Sequence, residues 1–259
     1  MIRVSRLEVK SPVGGWLLEA SDLDLPERSV LGVYGPNGSG KSSLLRAIAG
    51  ESADVIRHGE VMIDGIPIEL LREPSDRIKR VMYLGSDFRS PFQLTVRDLL
   101  ELGIESASRR MWPGINSSEI DRISNVVESL ELLSFMPRTF QTLSDGEKQL
   151  VMFARALVQA PKVLILDETF SKLDLDRLIS VTKIIRAWTA CGMTFLISSH
   201  DLNFLSEISD QMVFLKKGRI IAGGPVDSVL NESNLRELFT RVAPHVVTSP
   251  ETGKRKILY

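Results

Sequence analysis

The chain has 259 residues, 43% of them hydrophobic and 25% charged, with 32 Lys+Arg against 33 Asp+Glu for a formal net charge of −1. That balance excludes a protein that holds nucleic acid or acidic membrane mainly through bulk positive charge. The composition excludes disorder as the main state, and at ~150 residues per domain the length fits one large domain or a core with a subdomain.

Residues 2–9 and 17–25 alternate like half-exposed strands, and so do residues 60–63, after which Asp64-Gly65 supplies a turn. Residues 30–34 are continuously apolar or small, as a strand covered on both faces must be. Residues 42–49 read as a helix closed by Gly50, and 81–84 as a strand. From about Ser86 to Gln159 the pattern is mostly helical, over 96–102, 118–133 and 146–158. Buried-type strands return at 163–166 and 194–198, and helical patterns follow them at 174–190 and 201–208. Residues 211–215 and 219–222 flank Lys217-Gly218 as a hairpin, and residues from about Thr240 read as a short appended segment. Strands alternating with helices point to an α/β fold with a mostly parallel sheet, into which the helical stretch is inserted.

One cysteine, Cys191, leaves no intramolecular disulfide, which fits a reducing compartment, and it reads as a small buried side chain. The first six residues start no apolar run of signal-peptide type, and no stretch approaches the ~20 apolar residues of a spanning helix. The expectation is a soluble intracellular globule.

Gly35-Pro36-Asn37-Gly38-Ser39-Gly40-Lys41-Ser42 matches G-x-x-x-x-G-K-[ST] between a predicted strand and a predicted helix. The glycines let backbone N–H groups curl around an anion, and the helix points its positive end at the phosphates. Lys41 then reaches the β- and γ-phosphates, and the Ser42 hydroxyl is placed to ligate Mg²⁺. A nucleoside triphosphate is the ligand, but the loop alone does not separate a kinase, a GTPase and a motor. Residues 163–166 run into Asp167-Glu168, two carboxylates at the carboxyl end of a buried strand. Asp167 is placed to hold Mg²⁺ through its water shell, and Glu168 to polarise an attacking water as general base.

Leu143-Ser144-Asp145-Gly146-Glu147-Lys148-Gln149 precedes a predicted helix and lies before the acidic strand. Here the sequence resembles the nucleotide-binding subunits of ATP-binding cassette proteins, whose signature is usually Leu-Ser-Gly-Gly-Gln. Asp145 stands for the first glycine and Glu147 for the glutamine. Ser144 and Glu147 also fit a capping box, which presents N–H groups and a hydroxyl at a helix start. The resemblance implies a P-loop NTPase core over 1–85 and 160–240 that includes an N-terminal antiparallel β subdomain. It implies an inserted α-helical subdomain with the signature over 86–159, and a C-terminal extension over 241–259.

It further implies ATP and Mg²⁺ as ligands. ATP is held by Gly35, Pro36, Asn37, Gly38, Ser39, Gly40, Lys41, Ser42 and Ser43. Ser144, Asp145, Gly146 and Glu147 face the ATP of a second subunit. Ser171-Lys172-Leu173-Asp174 looks like the subunit-contact loop, and His200 stands where the family has its switch histidine. His58 and His245 lack such context.

Beyond the signature, three positions depart from the family. Ser86 stands where a glutamine helps order Mg²⁺ and the attacking water, with Asp87 as the neighbouring alternative, so slow hydrolysis is expected. The adenine-stacking aromatic falls near Val13, with Trp16 close by, either on the base or in the core. Thr169 replaces a proline and reads as a loop variation.

The segment 91–100 and the tail 224–255 look similar to bacterial importers of iron–siderophore, haem and cobalamin. The resemblance therefore implies an importer ATPase, working as a homodimer with membrane permease subunits and indirectly with a substrate-binding protein, on the inner face of the cell membrane. The alternatives are a soluble cassette ATPase, of iron–sulfur assembly type for example, and a regulatory cassette with weak hydrolysis. A DNA-linked role would favour a long coiled coil or a basic face, and neither is present in the sequence.

Overall fold

The computed structural model describes residues 1–11, 15–51, 56–86, 93–107, 117–239, 244–249 and 253–258. Its first elements are β1 (Ile2–Lys10), β2 (Trp16–Leu25), β3 (Val30–Tyr34), α1 (Lys41–Ala49), β4 (Ile56–Ile63) and β5 (Ile66–Pro67). Then come α2 (Pro74–Arg80), β6 (Val81–Leu84), α3 (Val96–Ala107), α4 (Ser117–Ser129), α5 (Asp145–Gln159), β7 (Val163–Asp167) and α6 (Leu175–Ala190). The remainder is β8 (Thr194–Ser198), α7 (Leu202–Ile208), β9 (Gln211–Lys216), β10 (Arg219–Pro225), α8 (Val226–Val229), α9 (Glu232–Leu238), β11 (His245–Thr248) and β12 (Arg255–Leu258).

Two sheets carry the fold. An antiparallel sheet runs in the order β2-β1-β4-β5. A six-stranded sheet runs β10-β9-β3-β8-β7-β6, and every pair in it is parallel except β10 with β9. All residues of β3, β7 and β8 are buried, which is why their sequences are continuously apolar or small. Strand alternation assigns the two faces of this sheet to different cores. Leu164 and Leu166 face the cluster that holds Leu150 and Phe153 of α5, Val181 of α6 and Leu205 of α7. Val163 and Ile165 face α1 and the antiparallel sheet, through Leu44, Ile48, Val4 and Val61. The helices of the middle segment share the first cluster, through Val96, Leu100 and Val126.

The expected strands and helices are present, but α2, α8 and α9 were not anticipated, β4 starts at Ile56 rather than Glu60 and α3 runs on to Ala107 rather than Leu102. Three further differences have clear causes. The helix read over 118–133 stops at Ser129: Glu131 takes φ 54°, and the Leu132 N–H reaches back to the Val127 carbonyl, closing the end with a left-handed residue. The tail is more than an appendage. β11 and β12 pair as a hairpin, Ile257 is buried, and the Asn203 side chain of α7 both donates to and accepts from the Ile257 backbone. Cys191 is exposed rather than buried, because it caps the end of α6, where the chain turns away through Gly192 at φ 113°. No described helix is long and apolar enough to cross a membrane.

Candidate functional site

The chain leaves β3 at Tyr34 and enters the glycine-rich loop ahead of α1. Gly35 is required by crowding, since a Cβ there would lie 2.3 Å from the Leu215 carbonyl oxygen. Gly40 takes φ 104° at the start of α1, with a Cβ position 2.5 Å from the Leu17 carbonyl oxygen. Hydrogen bonds from Ser39 N to Pro36 O and from Gly218 N to Ser39 O hold the loop's curl. Lys41 is buried, and its Nζ donates to the Gly35 carbonyl at 2.9 Å and the Pro36 carbonyl at 3.5 Å.

The acid pair comes from the end of β7, next to β8 and β6 in the sheet. Asp167 is 5% exposed, and both of its oxygens have donors. Ser198 Oγ donates to Oδ1 at 2.5 Å, and Tyr83 Oη donates to Oδ2 at 2.7 Å. Successive residues of a strand point to opposite faces, so Glu168 would turn away if β7 continued. Instead Glu168 adopts φ 52°, and its N–H is held by Ser198 Oγ at 3.0 Å. The turn brings both carboxylates to one cleft. There Glu168 Oε1 lies 3.4 Å from Lys41 Nζ and 2.9 Å from His200 Nε2.

The cleft, of about 360 Å³, is lined by Ser42, Arg46, Tyr83, Ser86, Asp167 and Glu168 among others. Tyr83 Oη accepts from Arg46 Nε at 3.1 Å. Burial, with the bond to Asp167, pushes the Tyr83 phenol well above its ordinary range, so it stays a donor. The bond to Tyr83 raises the Arg46 guanidinium in turn. Among the described residues no three His, Cys, Asp or Glu side chains cluster as a metal cage. The donor set in the cleft is instead the Asp167 and Glu168 carboxylates with the Ser42 and Ser86 hydroxyls. That set fits Mg²⁺, a hard cation that keeps waters and takes one or two carboxylates beside substrate phosphates.

A second group forms at the start of α5. Glu147 N donates to Ser144 Oγ at 3.3 Å, and Ser144 N donates to Glu147 Oε2 at 2.7 Å, which completes the predicted capping box. That bond from the Ser144 backbone, reinforced by Arg138 Nη1 at 3.0 Å, holds the Glu147 carboxyl below its usual range against partial burial. Asp145 is exposed beside them. Gly146 packs so tightly that a Cβ would lie 2.8 Å from the Lys172 carbonyl oxygen. Gln149, one turn on and buried, donates to Ser171 Oγ and accepts from Lys172 N. The signature residues are thereby tied to the loop that ends at Asp174, whose carboxylate caps α6 through Arg177 N.

The chain therefore brings Lys41, Ser42, Ser86, Asp167, Glu168 and His200 around one cleft. Ser144–Glu147 and Asp174 belong to another group, bonded within itself and to Arg138. Val13 and Asp87 lie outside the described residues. Trp16 is exposed, not in the core, and Lys10 Nζ stands 3.9 Å over its ring. Thr169 is more than a loop variation: it is 1% exposed, and its hydroxyl donates to the Leu84 carbonyl at 3.0 Å. Sequence reasoning missed Tyr83, Arg46, Ser198 and Gln149. Arg46 carried a signal, four residues from Ser42 and so on the same helix face.

A family model described as ABC transporter matches residues 18–171. The chain is 34% identical to the hemin import ATP-binding protein HmuV of Rhizobium meliloti (strain 1021), over 92% of this chain and 91% of that protein. It is 31% identical to the cobalamin import ATP-binding protein BtuD of Halobacterium salinarum (strain ATCC 29341 / DSM 671 / R1), over 93% of this chain and 59% of that one. Its fold is similar to a bacterial ABC transporter cassette solved as a dimer, with TM-score 0.77 and 24% identity over 87% of this chain and 99% of that one.

Proposed function

The chain belongs to the ABC transporter family, and from that premise we propose that it powers import of haem, cobalamin or an iron–siderophore through a partner permease. It is an ATPase, with ATP as substrate and Mg²⁺ as cofactor, and it works as a dimer of nucleotide-binding subunits alongside membrane permease subunits. Relatives that are import ATP-binding proteins for hemin and for cobalamin support haem and cobalamin as cargo. Its place is the cytoplasmic face of the cell membrane, reached through protein contacts. Residues 1–85 and 160–240 serve as the ATP-binding core, 86–159 as the helical subdomain, and 241–259 as the extension.

The observation that carries the mechanism is the separation of two half-sites in one chain. Gly35 to Ser43 cradle the phosphates, with Lys41 on the β- and γ-phosphates. Ser42 and Asp167 would hold Mg²⁺, with Ser86 near enough to contribute through a water. Held there, the cation would supply positive charge that offsets the charge of the phosphates. Glu168 orients and deprotonates the attacking water, and His200 contacts the γ-phosphate. Ser144, Asp145, Gly146 and Glu147 meet the ATP held by the other copy, offering the N–H groups of a capped helix start. Asp174 lies on the subunit contact. Two ATP molecules bridge the copies, closing moves the helical subdomain, and that motion is passed to the permease.

The test is purification from membranes of cells expressing the tagged chain, followed by ATPase assay with and without the partner. The expected result is a multi-span membrane protein in the complex and ATPase that responds to it. An active chain that purifies alone, with ATPase indifferent to membranes, would favour the soluble cassette reading.

A further inference from the structure

Among the described residues β6 is an edge strand, with β7 as its one neighbour. Its ladder to β7 runs from the Val81/Val163 pair to the Leu84/Leu166 pair. At the carboxyl end two side-chain bonds continue the join. Tyr83 Oη donates across to Asp167 Oδ2 at 2.7 Å, and Thr169 Oγ1 donates back to the Leu84 carbonyl at 3.0 Å. Thr169 and Asp167 are almost fully buried, at 1% and 5% exposure. Ser198 already holds Asp167 Oδ1. Of the two donors to that carboxylate, Tyr83 is the one that lines the cleft, where it stands beside Ser42 and Arg46.

We propose that Tyr83 is a positioning residue for Asp167, fixing the carboxylate in the orientation that meets the metal's water shell, and that Thr169 fixes the strand that carries Tyr83. The Arg46 guanidinium, bonded to Tyr83 Oη, polarises the phenol and strengthens its donation. A carboxylate anchored at one oxygen alone could swing about its side-chain torsions. Anchored at both, it gives up that freedom before the ligand arrives, so binding need not fix it again. Ser86, exposed at the mouth of the same strand, has no such bond to Asp167. The device therefore sits three residues before the position where a metal-ordering side chain was expected. This deepens the reading of Asp167 as a magnesium-facing group and rests on it.

The experiment measures Mn²⁺ binding by electron paramagnetic resonance, in the full chain saturated with a non-hydrolysable ATP analogue. Tyr83→Phe should weaken Mn²⁺ binding about fivefold, the worth of one hydrogen bond, and leave analogue affinity in EDTA unchanged. Thr169→Val should act in the same direction, and Thr169→Ser should restore wild-type binding. A purely structural role would lower the melting temperature without moving the Mn²⁺ isotherm. Wild-type Mn²⁺ binding by Tyr83→Phe, while Asp167→Asn binds weakly, overturns the proposal alone. If Asp167→Asn also binds Mn²⁺ like wild type, the reading of Asp167 falls and the proposal with it. Should Thr169→Val fail to fold, Tyr83→Phe still decides.

Discussion

His200 Nε2 lies 2.9 Å from Glu168 Oε1, the same oxygen that faces Lys41 Nζ at 3.4 Å. One carboxylate oxygen thus joins the phosphate-loop lysine to His200, two residues past the end of β8. Glu168→Gln keeps the shape of the side chain and removes its capacity as a base. Turnover should fall by ~10²–10⁴, ATP should still bind, and an ATP-bridged dimer should accumulate on gel filtration. A variant that stays monomeric with ATP would refute the clamp.

Ser86 is exposed at the mouth of the cleft, so a longer side chain can be placed there without repacking. Ser86→Gln supplies the carboxamide that the shorter hydroxyl lacks. The expected result is a kcat raised by up to ~10-fold, the value of one added hydrogen bond in the transition state. Steady-state phosphate release checks it; an equal or lower rate would show that Ser86 is not what limits hydrolysis.

Gly146 sits against the Lys172 carbonyl, where a methyl group would stand at 2.8 Å. The contact is with backbone, which cannot rotate aside. Gly146→Ala should push the start of α5 away from the 171–174 loop, costing ~1–3 kcal/mol in urea unfolding. In a Glu168→Gln background it should also weaken the ATP-bridged dimer, read by sedimentation. Normal stability and normal dimer would mean the two segments are not coupled.

Glu147 is held below its ordinary carboxyl range by the Ser144 N–H and Arg138. The folded state therefore binds fewer protons than the unfolded state across that window. The contribution is fully present above the unfolded value of ~4.3, and it fades as pH falls through the depressed folded value. Glu147→Gln retains a side chain able to close the capping box but does not titrate. Its urea midpoint should fall less steeply than wild type between pH ~5 and ~3. Parallel curves for the two proteins would remove Glu147 from the acid response.

Strands β3, β7 and β8 were legible because burial on both faces demands an unbroken apolar run, a constraint that acts within five residues. The glycine loop and the capping box were legible for the same reason: spacing along the chain is itself the chemistry. Tyr83 was not, because its meaning comes from Asp167, 84 residues away and adjacent only through sheet register. Thr169 looked like loop filler until the Leu84 carbonyl was found beside it. The β11–β12 hairpin escaped because its main anchor is Asn203, a polar residue on a distant helix.

The order β3-β8-β7-β6 decides which groups share the cleft. Neighbouring strands stand ~4.8 Å apart, so the ends of these four form a row like keys on a board. Side chains span the row as well as backbone. Glu168 Oε1, just past β7, lies 2.9 Å from His200 Nε2 beyond β8 and 3.4 Å from Lys41 Nζ beyond β3, and Tyr83 of β6 reaches Asp167 Oδ2. The acid pair is thus the hub of the row, and a displacement of any one of the four strand ends alters the surroundings of the same two carboxylates.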